Sequence, residues 1–261
     1  MDGEEPLVGG RMTAGIVRRG GHVHRPMGSW SPAVHEFLGH LESVGFAGSP
    51  RFVGVEGGHE VLTYLSGDVA VDPQWQPGRG ARLPGYARTD RALTEAAKLI
   101  RRLHHAAAGF SPTITAYRFH PCAPRPGQIV SHGDLGPWNT VYRAGIPVAF
   151  IDWDATQPVD PLDDLAAAAW SFVPLCPPGQ LREADFDPLP DLPRRLRLFV
   201  DAYGLADRQA MLPALQRAKL HEVERVKYAP LAPAEAAASL EYYAGQLRWL
   251  HDVSADLGSC L

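Results

Sequence analysis

This sequence of 261 residues is poor in cysteine, has no long apolar run and carries no excess of positive charge. Its three cysteines, Cys122, Cys176 and Cys260, form no CxxC pair, so neither a zinc ribbon nor a disulfide framework is predicted. The longest apolar run begins at Leu165, contains a proline and is too short to span a bilayer. The net charge of -4 disfavours a nucleic-acid binder, because such proteins usually carry a basic surface.

The first ten residues, MDGEEPLVGG, are acidic and lack the apolar segment of a secretory signal. Sparse, unpaired cysteines are typical of a reducing compartment. With 45% hydrophobic and 21% charged residues, the composition is that of an ordinary globular protein. The sequence therefore predicts a cytoplasmic protein with neither a membrane nor a nucleic-acid partner.

Glycine pairs and apolar spacing organise the first part of the chain. Short strand-like segments flank Gly20-Gly21 and Gly57-Gly58, which predicts two hairpins. Between them, an apolar stripe from Val34 to Leu41 recurs at helical spacing and predicts one helix.

The composition changes near residue 66, and helical patterns then dominate at roughly 89–108, 162–173, 193–203, 207–229 and 233–256. This order predicts an α+β fold with a small antiparallel-sheet lobe over residues 1–66 and a larger, mainly helical lobe over residues 67–261. We expect a hinge near residues 63–67, where Thr63 and Leu65 would meet a ligand in the cleft between the lobes.

One stretch interrupts the helices, VSHGDLGPWNTVYRAGIPVAFIDWD at residues 130–154. Two apolar segments flank a loop that holds Asp134 and Asn139, and Asp152 follows the second segment. Phosphoryl transfer needs positioned groups and neutralised phosphate charge more than covalent help. Mg²⁺ takes one or two protein oxygens and shares its other positions with phosphate and water. An Asn and an Asp supply such oxygens, and a further Asp can orient or deprotonate the attacking hydroxyl.

HGDLGPWN followed by IDWD resembles the catalytic and metal-binding signatures of the aminoglycoside phosphotransferase family, which is related to protein kinases. In that family the loop reads His-Gly-Asp, four residues, Asn, and the metal-binding Asp follows a short apolar strand. RRLHH, DPLDDLA and the hinge segment VLTYLSG are also similar to family segments. The resemblance runs from residue 52 to residue 170.

The resemblance implies a protein-kinase-like fold and an ATP- or GTP-dependent transfer of phosphate to a hydroxyl of a small molecule, such as an aminoglycoside or another antibiotic. Asp134 would be the catalytic base or the hydroxyl-orienting residue. Asn139 and Asp152 would be the Mg²⁺ ligands, and His132 would brace the loop. Asp154 would be either a substrate contact or simply a polar loop residue.

The sequence departs from kinase-like enzymes in one respect, the lysine that grips the nucleotide phosphates. The three lysines, Lys98, Lys219 and Lys227, all lie beyond the predicted hinge. The strand HVHRP offers His24 and Arg25 instead. Arg25 is the stronger candidate because a guanidinium stays charged and can bind phosphate bidentately.

Two further parts of the phosphate-binding lobe are weakly defined by sequence. Kinase-like enzymes pair the phosphate-gripping cation with a helix glutamate, and here Glu36 and Glu42 each fit either that role or a solvated helix face. The glycine-rich segment VGGRMTAG, residues 8–15, lacks a full GxGxxG.

Two functions of different classes remain open at this point. The intact Asp134, Asn139 and Asp152 favour a small-molecule O-phosphotransferase. The missing lysine leaves a catalytically weak, kinase-like protein that sequesters a ligand or partner, for example as an immunity factor. A protein kinase is disfavoured, because neither an activation loop nor an APE-like segment follows Asp152.

The acceptor is not determined by sequence. Enzymes of the resembled family that act on aminoglycosides, which are polycations, line the acceptor pocket with carboxylates. Seven acidic residues of the helical lobe fit this role or that of solvated faces: Glu183, Asp185, Asp187, Asp191, Glu222, Glu224 and Glu241. Five aromatic residues would either admit a flatter acceptor or form core: Trp170, Phe172, Tyr242, Tyr243 and Trp249.

Overall fold

The structure is a computed structural model that describes residues 4–7, 13–119, 121–229 and 231–261. Its first sheet is antiparallel, with strand order β1-β2-β3-β5-β4. The strands are β1 Glu4–Pro6, β2 Val17–Arg19, β3 His22–Pro26, β4 Phe52–Glu56 and β5 His59–Thr63. The last four form the two predicted hairpins, whereas β1 was not predicted.

Glycines close both hairpins. Gly57 and Gly58 have φ of 55° and 79°, and Gly20 has φ of 56°. Positive φ at both turn residues, as at Gly57-Gly58, or at the first of them, as at Gly20, gives a tight turn whose twist matches that of antiparallel strands, and glycine adopts it without strain. Pairing of β3 with β5 then joins the hairpins and places Arg25 directly opposite Glu60.

The helix between the hairpins, α1, spans Ser31–Ser43. The predicted apolar stripe from Val34 to Leu41 is its buried side. This stripe also reaches the helical lobe, where the ring of Phe37 lies 5.9 Å from that of Trp153. The helix therefore packs the small lobe onto the large one.

The large lobe contains α2 Asp90–Ala107, α3 Pro161–Phe172, α4 Pro178–Glu183, α5 Leu192–Tyr203, α6 Met211–Arg225 and α7 Pro233–Ser259. Five of these helices were predicted, and the short α4 was not. The region predicted as one helix over 207–229 is α6 with a 3₁₀ turn at each end, Arg208–Ala210 and Val226–Tyr228.

Two small sheets carry the stretch that interrupts the helices. In one, β7 Ile129–Ser131 pairs with β10 Gln157–Val159. In the other, β8 Thr140–Arg143 lies between β6 Asp68–Val69 and β9 Ile146–Phe150. The backbone N–H of Ile151 donates to the carbonyl of Asn139 at 2.9 Å, so the loop after β7 and the loop after β9 lie side by side.

One apolar core runs from α1 through α2, α3 and α5 to α6 and α7. The fold is therefore α+β, with a small antiparallel-sheet lobe and a larger helical lobe as predicted, while the boundary at residues 66 and 67 stays a prediction. Among the described helices, none has the length and apolarity needed to cross a membrane.

Candidate functional site

The loop between β7 and β8 is shaped by Gly133. This residue has φ of 76°, and a side chain here would collide with the carbonyl oxygen of Ala155. Only glycine permits that approach of the two loops, which explains why a glycine separates His132 from Asp134.

His132 ties the two loops together. Its Nε2 donates to the carbonyl oxygen of Ile151 at 2.8 Å, and its Nδ1 accepts from the N–H of Asp134 at 3.2 Å. These bonds require a neutral ring with the proton on Nε2. Burial lowers the pKa of His132, which favours the same neutral form. The residue braces the loop, as the resemblance implied.

Asp134 and Asn139 are in direct contact. The Nδ2 of Asn139 donates to Oδ2 of Asp134 at 2.8 Å and to its backbone oxygen at 3.0 Å. No described residue donates to Oδ1 of Asn139, so this oxygen is open to a ligand. Burial raises the pKa of Asp134, although Arg225 and His132 oppose the shift. A carboxylate in such a position is suited to orient or accept a proton from a hydroxyl.

Asp152 follows β9 in a left-handed conformation, with φ of 62° and ψ of 66°. A residue other than glycine costs on the order of 1–3 kcal/mol in this region and persists only where its surroundings hold it. Its Oδ1 accepts from Nη2 of Arg25 at 3.2 Å, while 35% of the side chain stays exposed. The other carboxylate oxygen, Oδ2, has no partner among the described residues.

Arg25 is buried among three carboxylates. Its Nη2 lies 2.7 Å from Oδ2 of Asp154 and 3.2 Å from Oδ1 of Asp152, and its Nε lies 3.1 Å from Oε1 of Glu60. Burial opposes the charge, but Asp154, Asp152 and Glu60 outweigh it and raise the pKa of Arg25. The sequence-predicted cation is thus brought to Asp152.

The acidic partner of Arg25 in the small lobe is Glu60 of β5, which sequence reasoning missed. Glu60 is itself held by Nε2 of His35 on α1, and the His35 ring stacks on Phe52 at 3.7 Å. The available signal was the register of the two hairpins, which sets Arg25 opposite Glu60.

Neither helix glutamate contacts Arg25. Glu36 accepts from the backbone N–H groups of Thr113 and Ile114 at 2.9 Å. Glu42 lies 3.7 Å from Arg51 near the surface. The expectation of a helix glutamate as partner of the cation is therefore wrong for both residues.

Asp154 connects both lobes to the site. Its Oδ2 accepts from Oγ1 of Thr13 at 3.0 Å and from Nη1 of Arg118 at 3.2 Å, in addition to its ion pair with Arg25. It is more than a polar loop residue, because it joins the segment after β1, β3 and the segment after α2. Thr13 belongs to the predicted glycine-rich segment, whose residues 8–12 lie outside the described residues.

His24 lies apart from this cluster. Side chains alternate along a strand, so His24 and Arg25 lie on opposite faces of β3. The Nδ1 of His24 is 3.9 Å from Glu56, a surface residue. The structure thus brings Arg25, and not His24, to the carboxylates.

The predicted hinge follows β5. The N–H of Thr63 donates to Arg51 at 2.9 Å and that of Tyr64 to Gly21 at 2.8 Å, so both are used within the small lobe. Leu65 is partly exposed, and its backbone makes no hydrogen bond with any described residue. Leu65 is therefore the hinge position at which a base could find free backbone groups.

Of the seven acidic residues considered for an acceptor pocket, six are exposed. Asp185 lies 3.3 Å from Arg82, Glu224 lies 2.7 Å from Lys227 and Glu241 lies 2.8 Å from Arg248. Only Glu222, on α6, is partly buried near Asp134 and contributes to its raised pKa. The other six are exposed, as expected for residues on solvated faces.

The chain matches known proteins over the part that carries this site. A model of the phosphotransferase enzyme family (APH) matches residues 115–199, which include Asp134, Asn139 and Asp152. A trifolitoxin immunity protein from Rhizobium leguminosarum bv. trifolii is 33% identical over 215 residues, which cover 80% of this chain and 77% of that protein.

Solved structures resemble the whole chain. The ADP-bound aminoglycoside phosphotransferase APH(2'')-Ib matches with a TM-score of 0.53 at 11% identity, covering 95% of each chain. Plasmodium vivax ethanolamine kinase matches with a TM-score of 0.58 at 9% identity, covering 99% of this chain and 83% of that one. These likenesses confirm the protein-kinase-like two-lobe fold. The match of residues 115–199 to the family model, together with the immunity protein that is 33% identical over 80% of this chain, shows that the chain belongs to the phosphotransferase enzyme family.

Proposed function

We propose that the protein transfers a phosphoryl group from ATP or GTP to a hydroxyl of a small molecule. The observation that carries the proposal is the contact of Asp134 with Asn139 beside Asp152 and the buried Arg25. This arrangement places the Asp134 carboxylate, which would meet the acceptor hydroxyl, next to the oxygens of Asn139 and Asp152 and the guanidinium of Arg25. These are the groups that a nucleoside triphosphate with its Mg²⁺ requires. The matches to phosphotransferases support the same reaction class.

Each residue has a role in this proposal. Asp134 orients the acceptor hydroxyl and accepts its proton. Arg25 grips the nucleotide phosphates in place of lysine, and the free backbone of Leu65, two residues after Thr63, meets the base. Two open oxygens, Oδ1 of Asn139 and Oδ2 of Asp152, fit a hard cation that takes few protein ligands. Bound there, Mg²⁺ would neutralise phosphate charge.

The proposal is tested by nucleotide binding. Isothermal calorimetry should detect ATP or GTP binding that requires Mg²⁺. Asp152→Ala should abolish this binding and Asn139→Ala should weaken it, because each removes an oxygen from the cation site. Asp252→Ala, an exposed aspartate on α7, is the matched control and should bind like wild type. Equal affinity in all four proteins would refute the metal-site assignment.

A second candidate is supported by the relative named as an immunity protein. In this alternative the protein protects a cell by holding a toxin or partner without turnover. The occupation of Asp152 and Asp154 by Arg25 favours it, since the same guanidinium would have to turn towards phosphate in an enzyme. A screen of hydroxylated antibiotics and metabolites that measures nucleoside diphosphate release distinguishes the two, because a pure binder would release none above background.

A further inference from the structure

The charge near Asp134 is mainly positive on the side of the large lobe. Arg225, at the end of α6, donates from Nη1 to the carbonyl oxygen of Gly133 at 3.1 Å, one residue from Asp134. Its side chain keeps 27% of its surface exposed. A guanidinium is protonated at every relevant pH, so this position is permanently cationic.

A second guanidinium faces the same aromatic ring. Arg118 lies 5.5 Å from the ring centre of Phe119, and Arg225 lies 5.1 Å from it. Both guanidiniums thus lie against Phe119, and Arg225 connects this ring to the loop that carries Asp134. Arg118 also reaches Asp154 at 3.2 Å, which places it at the junction between the acceptor side and the phosphate side.

The remaining groups on this side are aromatic or already paired. The Nζ of Lys219, six residues before Arg225 on α6, lies 4.5 Å from the ring centre of Trp170 and 4.8 Å from that of Tyr243. Glu222, the one nearby acid of the seven considered above, lies 3.7 Å from Arg225. Because Glu222 pairs with Arg225 and Glu224 pairs with Lys227, α6 offers no unpaired carboxylate that would bind a cationic acceptor.

We propose that the acceptor is an anionic hydroxyl compound with a ring, whose carboxylate or equivalent group is bound by Arg225 while its hydroxyl meets Asp134. This inference rests on the proposed phosphotransferase function and names its substrate class. A guanidinium pairs with a carboxylate through two parallel hydrogen bonds, which orients as well as attracts it. A polycation would instead meet the guanidiniums of Arg118 and Arg225, whose neighbouring carboxylates, Asp154 and Glu222, are already paired with them.

The test uses pairs of probes that differ in charge: 4-hydroxyphenylacetate against tyramine, and glucuronate against glucosamine, with kanamycin as a polycation. Calorimetry first measures whether the wild-type protein binds a non-hydrolysable ATP analogue together with Mg²⁺. If it does not, the proposed phosphotransferase function itself is contradicted. Dissociation constants of the probes are then measured on the nucleotide-bound protein by ligand-observed NMR.

We expect the carboxylate member of at least one pair to bind about tenfold or more tightly than its amine partner, in line with one charge-assisted contact. Arg225→Gln should remove that preference. Arg225→Lys should retain part of it, which separates loss of charge from misfolding. Arg248→Gln, an exposed arginine on α7, is the control and should behave like wild type.

Three results would overturn the inference while leaving nucleotide binding intact. The first is that the amine probes or kanamycin bind as tightly as the carboxylate probes or more tightly. The second is that the preference for carboxylates survives Arg225→Gln. The third is that no carboxylate probe binds at about 20 mM, roughly 20 times a dissociation constant of 1 mM.

Discussion

Arg25 links stability and function at a single residue. It forms an ion pair with Glu60, which is 3% exposed, and it also pairs with Asp152 and Asp154 in the loop after β9. Removing one member of a buried ion pair leaves an uncompensated charge, which costs far more than a surface pair is worth. Arg25 is therefore both a phosphate-binding candidate and a structural element of the small lobe.

We predict that Arg25→Ala lowers the free energy of unfolding by about 3–5 kcal/mol, because Glu60 is left buried with His35 as its partner and Asp152 and Asp154 lose the cation between them. The double variant Arg25→Met with Glu60→Met should recover much of this loss. His24→Ala, the neighbour on the other face of β3, should leave nucleotide affinity unchanged. Urea denaturation and calorimetry measure both effects. Additive losses in the double variant would show that the two residues are not coupled.

Asp134 gives the prediction closest to the chemistry. Asp134→Asn keeps the size of the side chain and one oxygen, but it cannot accept the hydroxyl proton. Turnover should fall by about 10²- to 10⁴-fold, the usual range for a general acid–base residue. Nucleotide affinity should stay the same, since the amide oxygen that Asp134→Asn keeps can still accept the hydrogen bond from Nδ2 of Asn139. Unchanged turnover on an identified acceptor would assign the base to another residue.

Among the elements of the large lobe, Asp164 of α3 belongs to a network that joins α3, β7, α2 and α5 next to the loop that carries Asp134. Its Oδ2 accepts from Oγ of Ser131 in β7 at 2.7 Å and from Nε2 of His104 in α2 at 2.9 Å. His104 in turn bonds the hydroxyl of Tyr203 in α5 at 2.9 Å. Ser131 is the last residue of β7, so its hydrogen bond to Asp164 fixes the end of the strand from which the loop with Asp134 begins.

Asp164→Ala should therefore be destabilising, by about 1–3 kcal/mol for each buried partner left unpaired. The adjacent Asp163→Ala is the control, since Asp163 pairs with the partly exposed Arg217 and such pairs are worth about 1 kcal/mol or less. Thermal and urea unfolding of the two variants measure the difference. Similar losses for both aspartates would contradict the role of Asp164 as a brace.

At the scale of the whole molecule, the two lobes share one core. Side chains of α1 lie in the same apolar cluster as those of α2 and α3, and Phe150 donates its N–H to Gly48 at 2.9 Å across the lobes. Asp154 adds a polar link between them. The lobes are thus joined on the side of α1 as well as at the hinge.

We expect one cooperative unfolding transition for the chain, with equal calorimetric and van 't Hoff enthalpies. Phe37→Ala, which empties part of the shared core, should cost about 3–5 kcal/mol. It should lower the melting temperature of both lobes together, whereas Val53→Ala at an exposed position is the control. Differential scanning calorimetry that resolves two transitions in the wild-type protein would show that the lobes unfold independently.

The local features of this protein could be predicted from short sequence patterns. Glycine pairs at Gly20 and Gly57 defined the hairpins, helical spacing defined α1, and the order of HGD, Asn139 and IDWD pointed to the family. These signals depend on neighbours within a few residues, where backbone conformation and side-chain periodicity are set by local sterics.

Which distant groups meet depends on how the strands pair and the helices pack, and this could not be predicted from local patterns. The pairing of β3 with β5 chose Glu60 over Glu36 and Glu42 as partner of Arg25, and the packing of α6 on the loop brought Arg225 to Asp134. It also joined Asp154 to Arg118 and left most of the acidic residues on the surface. Such contacts depend on strand register and helix packing between residues far apart in the chain. No local pattern encodes them, because a charged side chain is equally compatible with solvent until the fold places a partner beside it.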